Sequence, residues 1–179
     1  IGDIVSVDST CTSMADFEKV AEGDVNSLWN SICAWGPTGL LPIFQLLGSD
    51  YSSKLIATRL LDGTSDFDTF TKISFFYPHA VASMKVGQGV KSEGELIISG
   101  TKGYIFVPAP WWKTDYFEIR YENPANNRRY FYQLDGEGIR FELVSFMKAI
   151  QTGRPMNYVD ESMSAAIVSV ISDFYERKD

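Results

Sequence analysis

The stretch Ser31–Gly48 combines residue types that a purely structural helix seldom needs. Its sequence, SICAWGPTGLLPIFQLLG, places Trp35, Gly36-Pro37 and Thr38 in the first half of a predicted helix. An indole offers a flat apolar face to a ligand, and a threonine hydroxyl can donate and accept a hydrogen bond. We therefore interpret the start of this helix as a candidate ligand-binding surface, with unusual packing as the alternative.

A second candidate lies in the segment PAPWWKTDYF, where Trp111, Trp112 and Lys113 follow two prolines. Adjacent tryptophans in a proline-rich corner can stack on a sugar or on a partner surface. They can equally close the end of a sheet by packing. The sequence leaves both interpretations open.

Groups that usually carry proton transfer or nucleophilic attack are scarce. His79 is the single histidine, and without a companion ligand it is typical of a surface residue. Cys11 and Cys33 lack metal-ligand spacing, so we interpret them as reduced, buried thiols of a cytoplasmic protein. The chain also lacks a nucleophile elbow, an HExxH motif, a Walker loop and a GxGxxG fingerprint. We predict no metal site and no complete catalytic apparatus.

Composition excludes several classes of partner. The 179 residues include 16 basic and 23 acidic side chains, which gives a net charge of −7 and a pI near 4.7. This charge disfavours binding to nucleic acid or to an anionic membrane. The longest apolar stretch, Leu40–Leu47, is far shorter than the ~18 residues of a membrane span. We expect a single globular domain over residues 1–179.

The elements that must position these residues follow from periodicity. Residues 3–12 alternate as a strand does, and we predict that the helix after them is capped by Asn26 or Ser27 and ends near Gly48. From about 53 to 134, short strand-like segments are separated by glycine-containing turns. Such an order is typical of an antiparallel meander.

Three details of these strands and turns can be checked. Segments 87–95 and 100–103 are predicted to be hairpin turns. The alternation in segment 67–76 assigns Ile73 and Phe75 to one face of a strand and Asp68 to the other. Both faces carry large apolar groups, so we expect helices on one face and a partner on the other.

The last third has helical periodicity. One helix, ended by Gly153, carries apolar residues at helical spacing: Ile139, Leu143, Phe146, Met147 and Ile150. A second helix, capped by Asp160, turns Met163, Ala166, Ile167, Val170 and Phe174 inward. The complete order predicts an α+β fold: one large, mostly antiparallel open β-sheet with helices packed on one face.

These segments together resemble the C-terminal domain of the Gfo/Idh/MocA oxidoreductases, typified by glucose–fructose oxidoreductase and inositol dehydrogenase. The resemblance covers essentially the whole chain. It rests on IGDIVSVDST as the first strand, SICAWGPTGLLPIFQLLG as the long helix, LIISGTKGYIFVPAP as a hairpin, and FELVSFMKAIQTGRP with DESMSAAIVSVISDF as the closing helices. It implies a sheet of the glyceraldehyde-3-phosphate-dehydrogenase-like C-terminal type.

The resemblance also implies a missing half. Family members carry an upstream Rossmann domain that binds NAD or NADP, and this domain supplies the substrate wall and a homo-oligomer interface through its open sheet. Their substrates are typically sugars, sugar nucleotides or polyols. The chain begins with Ile1 close to a predicted strand, so we expect a domain excised from a longer polypeptide. No cofactor-binding residues are then expected in this fragment.

The family helix usually bears an Asp and, four residues later, a His or Tyr, which orient the substrate and relay its proton. With Gly36-Pro37 aligned, those positions are Ala34 and Thr38. Alanine cannot hold a proton, and a threonine hydroxyl is not an acid near neutral pH. The i, i+4 spacing still keeps both positions on one helix face.

Two functional hypotheses follow. In the first, the chain is the substrate-binding and oligomerising half of an NAD(P)-dependent sugar or sugar-nucleotide oxidoreductase. Its substrate-binding residues would be Trp35, Thr38, Trp111, Trp112 and Lys113. In the second, it is a non-catalytic binding and dimerisation module of a degenerate or bifunctional carbohydrate-biosynthesis protein.

Overall fold

The computed structural model describes residues 1–17, 29–133, 138–154 and 159–176. Within these ranges it contains one eight-stranded sheet and three α-helices, so the predicted α+β class is confirmed. The strands are β1 Ile4–Thr12, β2 Ser53–Leu60, β3 Asp68–Phe76, β4 Val81–Gly87, β5 Leu96–Gly100, β6 Tyr104–Val107, β7 Tyr116–Arg120 and β8 Arg128–Phe131. The helices are α1 Ser31–Leu47, α2 Ile139–Thr152 and α3 Glu161–Glu176.

The sheet has the strand order β2-β3-β4-β1-β5-β6-β7-β8. All neighbours are antiparallel except β1 and β4, which run parallel, so the predicted mostly antiparallel sheet is confirmed. Because β1 lies between β4 and β5, segment 88–95 must pass the end of β1. The predicted hairpin at 87–95 is therefore wrong, whereas Gly100 and Gly103 close the predicted turn between β5 and β6.

One face of the sheet packs against helix α1, which lies across β3, β4 and β1. Alternation along each strand turns apolar side chains toward this helix. Full burial of such a side chain stabilises the fold by roughly 1.5–3 kcal/mol. The largest fully buried residues of this layer are Val7, Ile32, Leu40, Ile43, Phe44, Ile73, Phe75, Met84 and Val86.

Two glycines let α1 approach the sheet and its neighbouring helix closely. A Cβ atom on Gly39 would lie 2.8 Å from Met84 Cγ and 2.9 Å from Met84 Sδ, in the buried layer. A Cβ atom on Gly36 would lie 3.2 Å from the Cδ1 atom at the tip of Ile32 and at ordinary contact distance, 3.7 Å, from Ile171 Cδ1 on α3. Gly39 therefore marks the contact where the backbone of the helix comes closest to the sheet.

The start of α1 differs from the prediction. The helix begins at Ser31, and its cap is Asn30, whose Oδ1 accepts a hydrogen bond from the backbone N–H of Cys33 at 3.2 Å. Asn26 and Ser27 lie outside the described residues, and their predicted capping role is wrong because a cap must directly precede the first helical residue. The predicted end is confirmed, since the helix stops at Leu47 and Gly48 has a φ of 79°.

Asp68 fixes that helix start to the sheet. Its buried carboxyl group accepts the backbone N–H of Ile32 at 3.1 Å and the hydroxyl of Thr71 at 2.6 Å. Ser31 adds two bonds: its hydroxyl donates to the carbonyl of Asp68 and accepts the N–H of Gln88, both at 2.9 Å. Strands β3 and β4 thus hold the first turn of α1.

The structure corrects the predicted face of Asp68. The alternation predicted that Asp68 lies on the face of β3 opposite Ile73. The pairing of β2 with β3 shifts register between Arg59 and Leu60, so that Leu60 pairs with Asp68 while Arg59 pairs with Phe70. This bulge leaves Thr69 without an opposing residue. It turns the Asp68 carboxyl toward α1.

Helix α3 packs as predicted. Ile167, Val170 and Phe174 are buried, and Met163 and Ala166 pack at the margin of the core. Asp160 caps it by accepting the N–H of Met163 at 2.8 Å. The helix lies beside α1, and its Asp173 pairs with Lys54 of β2 at 3.2 Å, which places α3 toward the β2 edge.

Helix α2 forms where predicted, but none of its residues is buried. Its apolar stripe is more than half exposed at every position: Ile139, Leu143, Phe146, Met147 and Ile150. Across the described ranges, no helix has both the length and the apolar composition that crossing a bilayer requires.

We expect Gly39→Ala to lower the free energy of unfolding by about 1–2 kcal/mol, since overpacking against Met84 outweighs the gain of ~1 kcal/mol in helix propensity. Gly36→Ala is the matched control and should be neutral or stabilising, because the tip of Ile32 can move. Urea unfolding of both variants measures the difference. Equal destabilisation would contradict the close contact at Gly39.

Asp68→Ala should lower the free energy of unfolding by about 2–4 kcal/mol, because it leaves a buried amide and a buried hydroxyl without their acceptor. Asp68→Asn keeps an oxygen for Ile32 and should cost much less. Chemical denaturation at a fixed pH near 7 measures both.

Asp68 should also make the free energy of unfolding depend on pH. Burial raises the pKa of the Asp68 carboxyl, and the Thr71 hydroxyl and the Ile32 amide partly offset that rise. A folded-state pKa above the unfolded value means that the protonated form stabilises the fold. That stabilisation is complete below the unfolded pKa of about 3.9 and is lost as pH rises through the folded pKa. The Asn variant should lack this component of the pH dependence.

Candidate functional site

Three of the predicted site residues form one aromatic cluster beside the start of α1. The ring centroids of Trp35 and Trp112 lie 4.8 Å apart with an angle of 49° between the planes. Trp111 meets Trp112 edge to face at 6.1 Å. The Trp35 Nε1–H donates to the Ser13 hydroxyl at 3.2 Å, which fixes the orientation of that ring. All three rings are half-buried, so each keeps some surface open to solvent.

The loop after β6 carries the two adjacent tryptophans to this place. It contains a cis peptide bond between Ala109 and Pro110. The N–H of Trp111 then donates to the carbonyl of Gly94 at 3.1 Å, and a Cβ atom on Gly94 would lie 3.6 Å from the Trp112 ring. The positive φ of 80° at Gly94 is one that side-chain-bearing residues rarely adopt, so the backbone conformation of this segment depends on the glycine.

Trp111 and Trp112 differ in what they touch. The Trp111 indole lies beside the buried Cys11 thiol, and its Nε1 is itself buried. Burial raises the pKa of Cys11 to about 12, and the indole and the Ser9 hydroxyl offset the rise only in part. The Cys11 thiol therefore stays protonated and is not a nucleophile. Trp111 closes the end of the core, whereas Trp112 faces Trp35.

Ala34 and Thr38 occupy successive turns on one ridge of α1, both half-buried, with Trp35 beside them. No described residue forms a hydrogen bond with the Thr38 hydroxyl, which can therefore serve a ligand. Lys113 is exposed and follows Trp112 directly, with its backbone N–H bonded to the carbonyl of Pro110 at 2.8 Å. The ridge offers binding groups, but Ala34 supplies no proton donor.

Cys33 and Tyr175 are titratable groups near the helix start, but they do not supply the proton donor that Ala34 lacks. The Cys33 sulfur lies 3.0 Å from the Tyr175 hydroxyl, which also accepts from the Asn30 amide at 2.9 Å. Burial and the neighbouring thiol raise the pKa of Tyr175. The phenol thus stays protonated near neutral pH. Among the residues that the structure describes, no three His, Cys, Asp or Glu side chains are grouped as a metal site.

Sequence reasoning missed the groups that position these side chains. Asn30 had an available signal, since an amide side chain directly before the first helical residue is a preferred cap. Ser13, Gly94 and Asp68 gave no local signal, because their partners are distant in sequence.

Comparison with known proteins gives a clear result at the level of structure only. No family model matches the sequence, and no curated protein matches it either. Solved structures match over nearly the whole chain. An aldose–aldose oxidoreductase from Caulobacter crescentus, solved with glycerol, has a TM-score of 0.78 at 16% identity, covering 98% of this chain and 53% of its own.

Two further structures agree. The 3-ketoreductase KijD10 from Actinomadura kijaniata, with NADP and TDP-benzene, has a TM-score of 0.76 at 12% identity and covers 97% of this chain and 53% of its own. An oxidoreductase from Agrobacterium radiobacter, with NAD+, L-tartaric acid and magnesium, has a TM-score of 0.73 at 16% identity and covers 98% and 55%. The chain thus spans about half the length of the proteins it matches.

The identities are low, so the likeness concerns the fold. Both the open eight-stranded sheet and the half-length match fit the domain that the sequence resemblance indicated. The chain has the fold of the C-terminal domain of the Gfo/Idh/MocA-type oxidoreductases.

Proposed function

We propose that this chain is the substrate-binding half of an NAD(P)-dependent oxidoreductase that acts on a sugar or a sugar nucleotide. The observation that carries the proposal is the pair of Trp35 and Trp112 beside the ridge of Ala34 and Thr38. Flat apolar rings next to a hydroxyl and an exposed cation suit a ligand with both apolar and polar faces, as a sugar has.

Ligands named for the matching structures support the class. One is solved with NADP and TDP-benzene, one with NAD+ and L-tartaric acid, and one with glycerol. In the proposed protein, a Rossmann domain outside these 179 residues would bind the nicotinamide cofactor. The residues described in this chain would hold the substrate only.

In this scheme the roles divide clearly. Trp35 and Trp112 stack on the sugar ring, Thr38 hydrogen-bonds a hydroxyl group, and Lys113 pairs with a polar or anionic substituent. Trp111 supports Trp112 from the core. Ala34 cannot relay the substrate proton, so a group outside this chain, or water, must do so. Two unpaired thiols, Cys11 and Cys33, fit a reducing compartment such as the cytoplasm.

The experiment that tests the scheme uses the polypeptide with its upstream half. Titration with NADH and NADPH, followed by nicotinamide fluorescence, should give saturable binding of one of them. Absence of binding to either would overturn the proposal. Active preparations can then be screened on aldoses and on nucleoside diphosphate sugars.

We expect Trp112→Ala to weaken binding of the identified sugar by about tenfold or more, because loss of one stacking surface corresponds to ~1.4 kcal/mol. The control is Trp29→Ala, since Trp29 is 69% exposed. Calorimetric titration of both variants measures the affinities. Unchanged binding in the Trp112 variant would show that the pair of Trp35 and Trp112 does not bind the substrate.

The alternative is a non-catalytic module that binds and dimerises, and Ala34 at the proton-relay position favours it. Both hypotheses use the open sheet face for assembly. That face exposes Leu55, Phe76 and Val81 at one end. Lys72 lies directly opposite Lys85 on it, an unfavourable like-charge pair that acidic groups of a second copy would relieve.

A dimer through this face is sensitive to a charge placed in it. Phe76→Glu should raise the dimer dissociation constant at least tenfold, because an unpaired carboxylate would be buried. Val168→Glu is the control, since Val168 is 64% exposed on a helix. Sedimentation equilibrium measures both variants. A wild-type chain that stays monomeric at high concentration would contradict assembly through the sheet.

A further inference from the structure

Strand β8 lies at one end of the sheet, and no described element pairs with its outer edge. All four of its residues are exposed, and β7 is the only described element that packs extensively against it. The opposite edge differs, because α3 reaches β2 there and its Asp173 pairs with Lys54 at 3.2 Å. An open edge strand presents unpaired N–H and C=O groups, which are a template for another strand.

The pairing of β8 with β7 shows which of its backbone groups are free. The N–H of Tyr132 donates to the carbonyl of Asp115 at 2.6 Å, so Tyr132 turns its backbone groups toward β7. In an antiparallel ladder this direction alternates from residue to residue. The register between the two strands has no shift, so Tyr130 also turns inward. The N–H and C=O groups of Arg129 and Phe131 therefore point outward from the edge of the sheet.

The side chains of β8 give this edge an aromatic character. Phe131 is 72% exposed, and Tyr130 is 41% exposed although its ring stacks on Phe117 at a centroid distance of 5.1 Å. The charge of Arg129 is compensated within the chain, since its Nε–H donates to a carboxylate oxygen of Glu118 at 2.8 Å. Proline and β-bulges, two common protections of an edge, are both absent from β8. The edge is thus suited to pairing with a strand that offers rings rather than charge.

A second copy of β8 fits this edge in one register. Because the free groups belong to Arg129 and Phe131, a two-fold axis through Tyr130 would place Arg129 opposite Phe131 of the other copy. Both of these pairs then exchange two N–H···O bonds each. An axis through Arg129 would instead place like charges directly opposite. An axis through Phe131 would pair Arg129 with Gln133, which lies beyond the end of the strand.

The facing side chains also agree in this register. Tyr130 meets Tyr130 of the second copy in a non-hydrogen-bonded pair, where Cα atoms lie ~4.5 Å apart. Each Tyr130 already stacks on Phe117, so the two stacked pairs would form one row of rings across the junction. Arg128 lies opposite Tyr132, which brings a guanidinium next to an aromatic ring.

We propose that β8 docks a second copy of this chain, with the two β8 strands antiparallel about a two-fold axis through Tyr130. The two sheets then join into one. This edge is separate from the open sheet face, because Tyr130 and Phe117 lie on the same side as Ile105 of the core margin. Only a few residues of each chain take part, so the contact is far smaller than the roughly 1,600 Å² of a standard interface and pairs transiently. The proposal does not depend on the proposed function.

Disulfide trapping tests the pairing in the 179-residue chain. A Cys33→Ser background leaves only the buried Cys11 thiol. Under copper–phenanthroline oxidation, Tyr130→Cys should form covalent dimers at least tenfold faster than Tyr132→Cys, because a disulfide needs Cα atoms within about 7 Å. Residue 132 would lie about 13 Å along the strand from its counterpart. Tyr132 is 63% exposed, more than Tyr130, so random collisions would favour the control.

A mixed experiment keeps Tyr130 in place. Chains with Arg128→Cys and chains with Tyr132→Cys should form disulfide dimers when they are mixed, because these positions face each other in the proposed register. Neither variant should form them at a comparable rate by itself.

The outward N–H of Phe131 gives a second test. In the Tyr130→Cys chain, Phe131→Pro removes that donor without removing a bond to β7, so trapping should fall to the rate of the Tyr132→Cys control. Phe131→Ala is the matched variant, which keeps the N–H and should retain most of the trapping. Circular dichroism of both variants confirms the fold.

Several results would overturn the proposal. One is equal trapping of the Tyr130→Cys and Tyr132→Cys chains, and another is trapping that survives Phe131→Pro. Loss of trapping on adding Phe76→Glu would show that pairing of the open face brings the chains together. Trapping that is lost in the polypeptide with its upstream half would identify a segment of that polypeptide as the occupant of the edge.

Discussion

The buried carboxyl group of Asp68 is the contact on which the arrangement of the candidate site depends. It accepts the amide of Ile32 and thereby satisfies one of the free N–H groups at the start of α1. The first turn of α1 contains no acidic residue, so the acceptor for this N–H comes from β3 instead. The first turn of the helix is thus attached to β3. Trp35 and Thr38 lie within the next two turns, so their positions follow from this anchor.

Positioning of the aromatic pair then needs only short-range contacts. Gly39 lets the helix backbone approach Met84, and Trp35 of the same helix contacts Trp112 in the loop after β6. The carbonyl of Gly94 accepts the N–H of Trp111, next to Trp112, and the Ser13 hydroxyl accepts the N–H of the Trp35 indole. Each ring is therefore fixed by a different element. A site assembled in this way is rigid as a binding surface, which suits recognition of a ligand even where Ala34 leaves proton transfer to another group.

Features with local causes could be predicted from the sequence. A few neighbouring residues determine the end of α1 at Gly48 and the cap at Asp160. The fold class followed from the order of segments, each of which has its own local periodicity. The features that failed are non-local. The place of β1 inside the sheet depends on pairing between distant segments, and the orientation of Asp68 depends on a bulge that the partner strand creates. The stripe of α2 was visible as a pattern, but periodicity does not reveal what covers it.

The central place of β1 also constrains how the chain can fold. Strands β2 to β4 form one antiparallel unit and β5 to β8 another, and each unit can pair locally. The only strand that joins them comes first in the chain, and its contact between Asp8 and Ser83 spans 75 residues. Closing such a long loop costs entropy before any pairing repays it, so the joining step should be late and slow. Until then the two half-sheets have exposed edges, and the protein is most prone to aggregation during this interval.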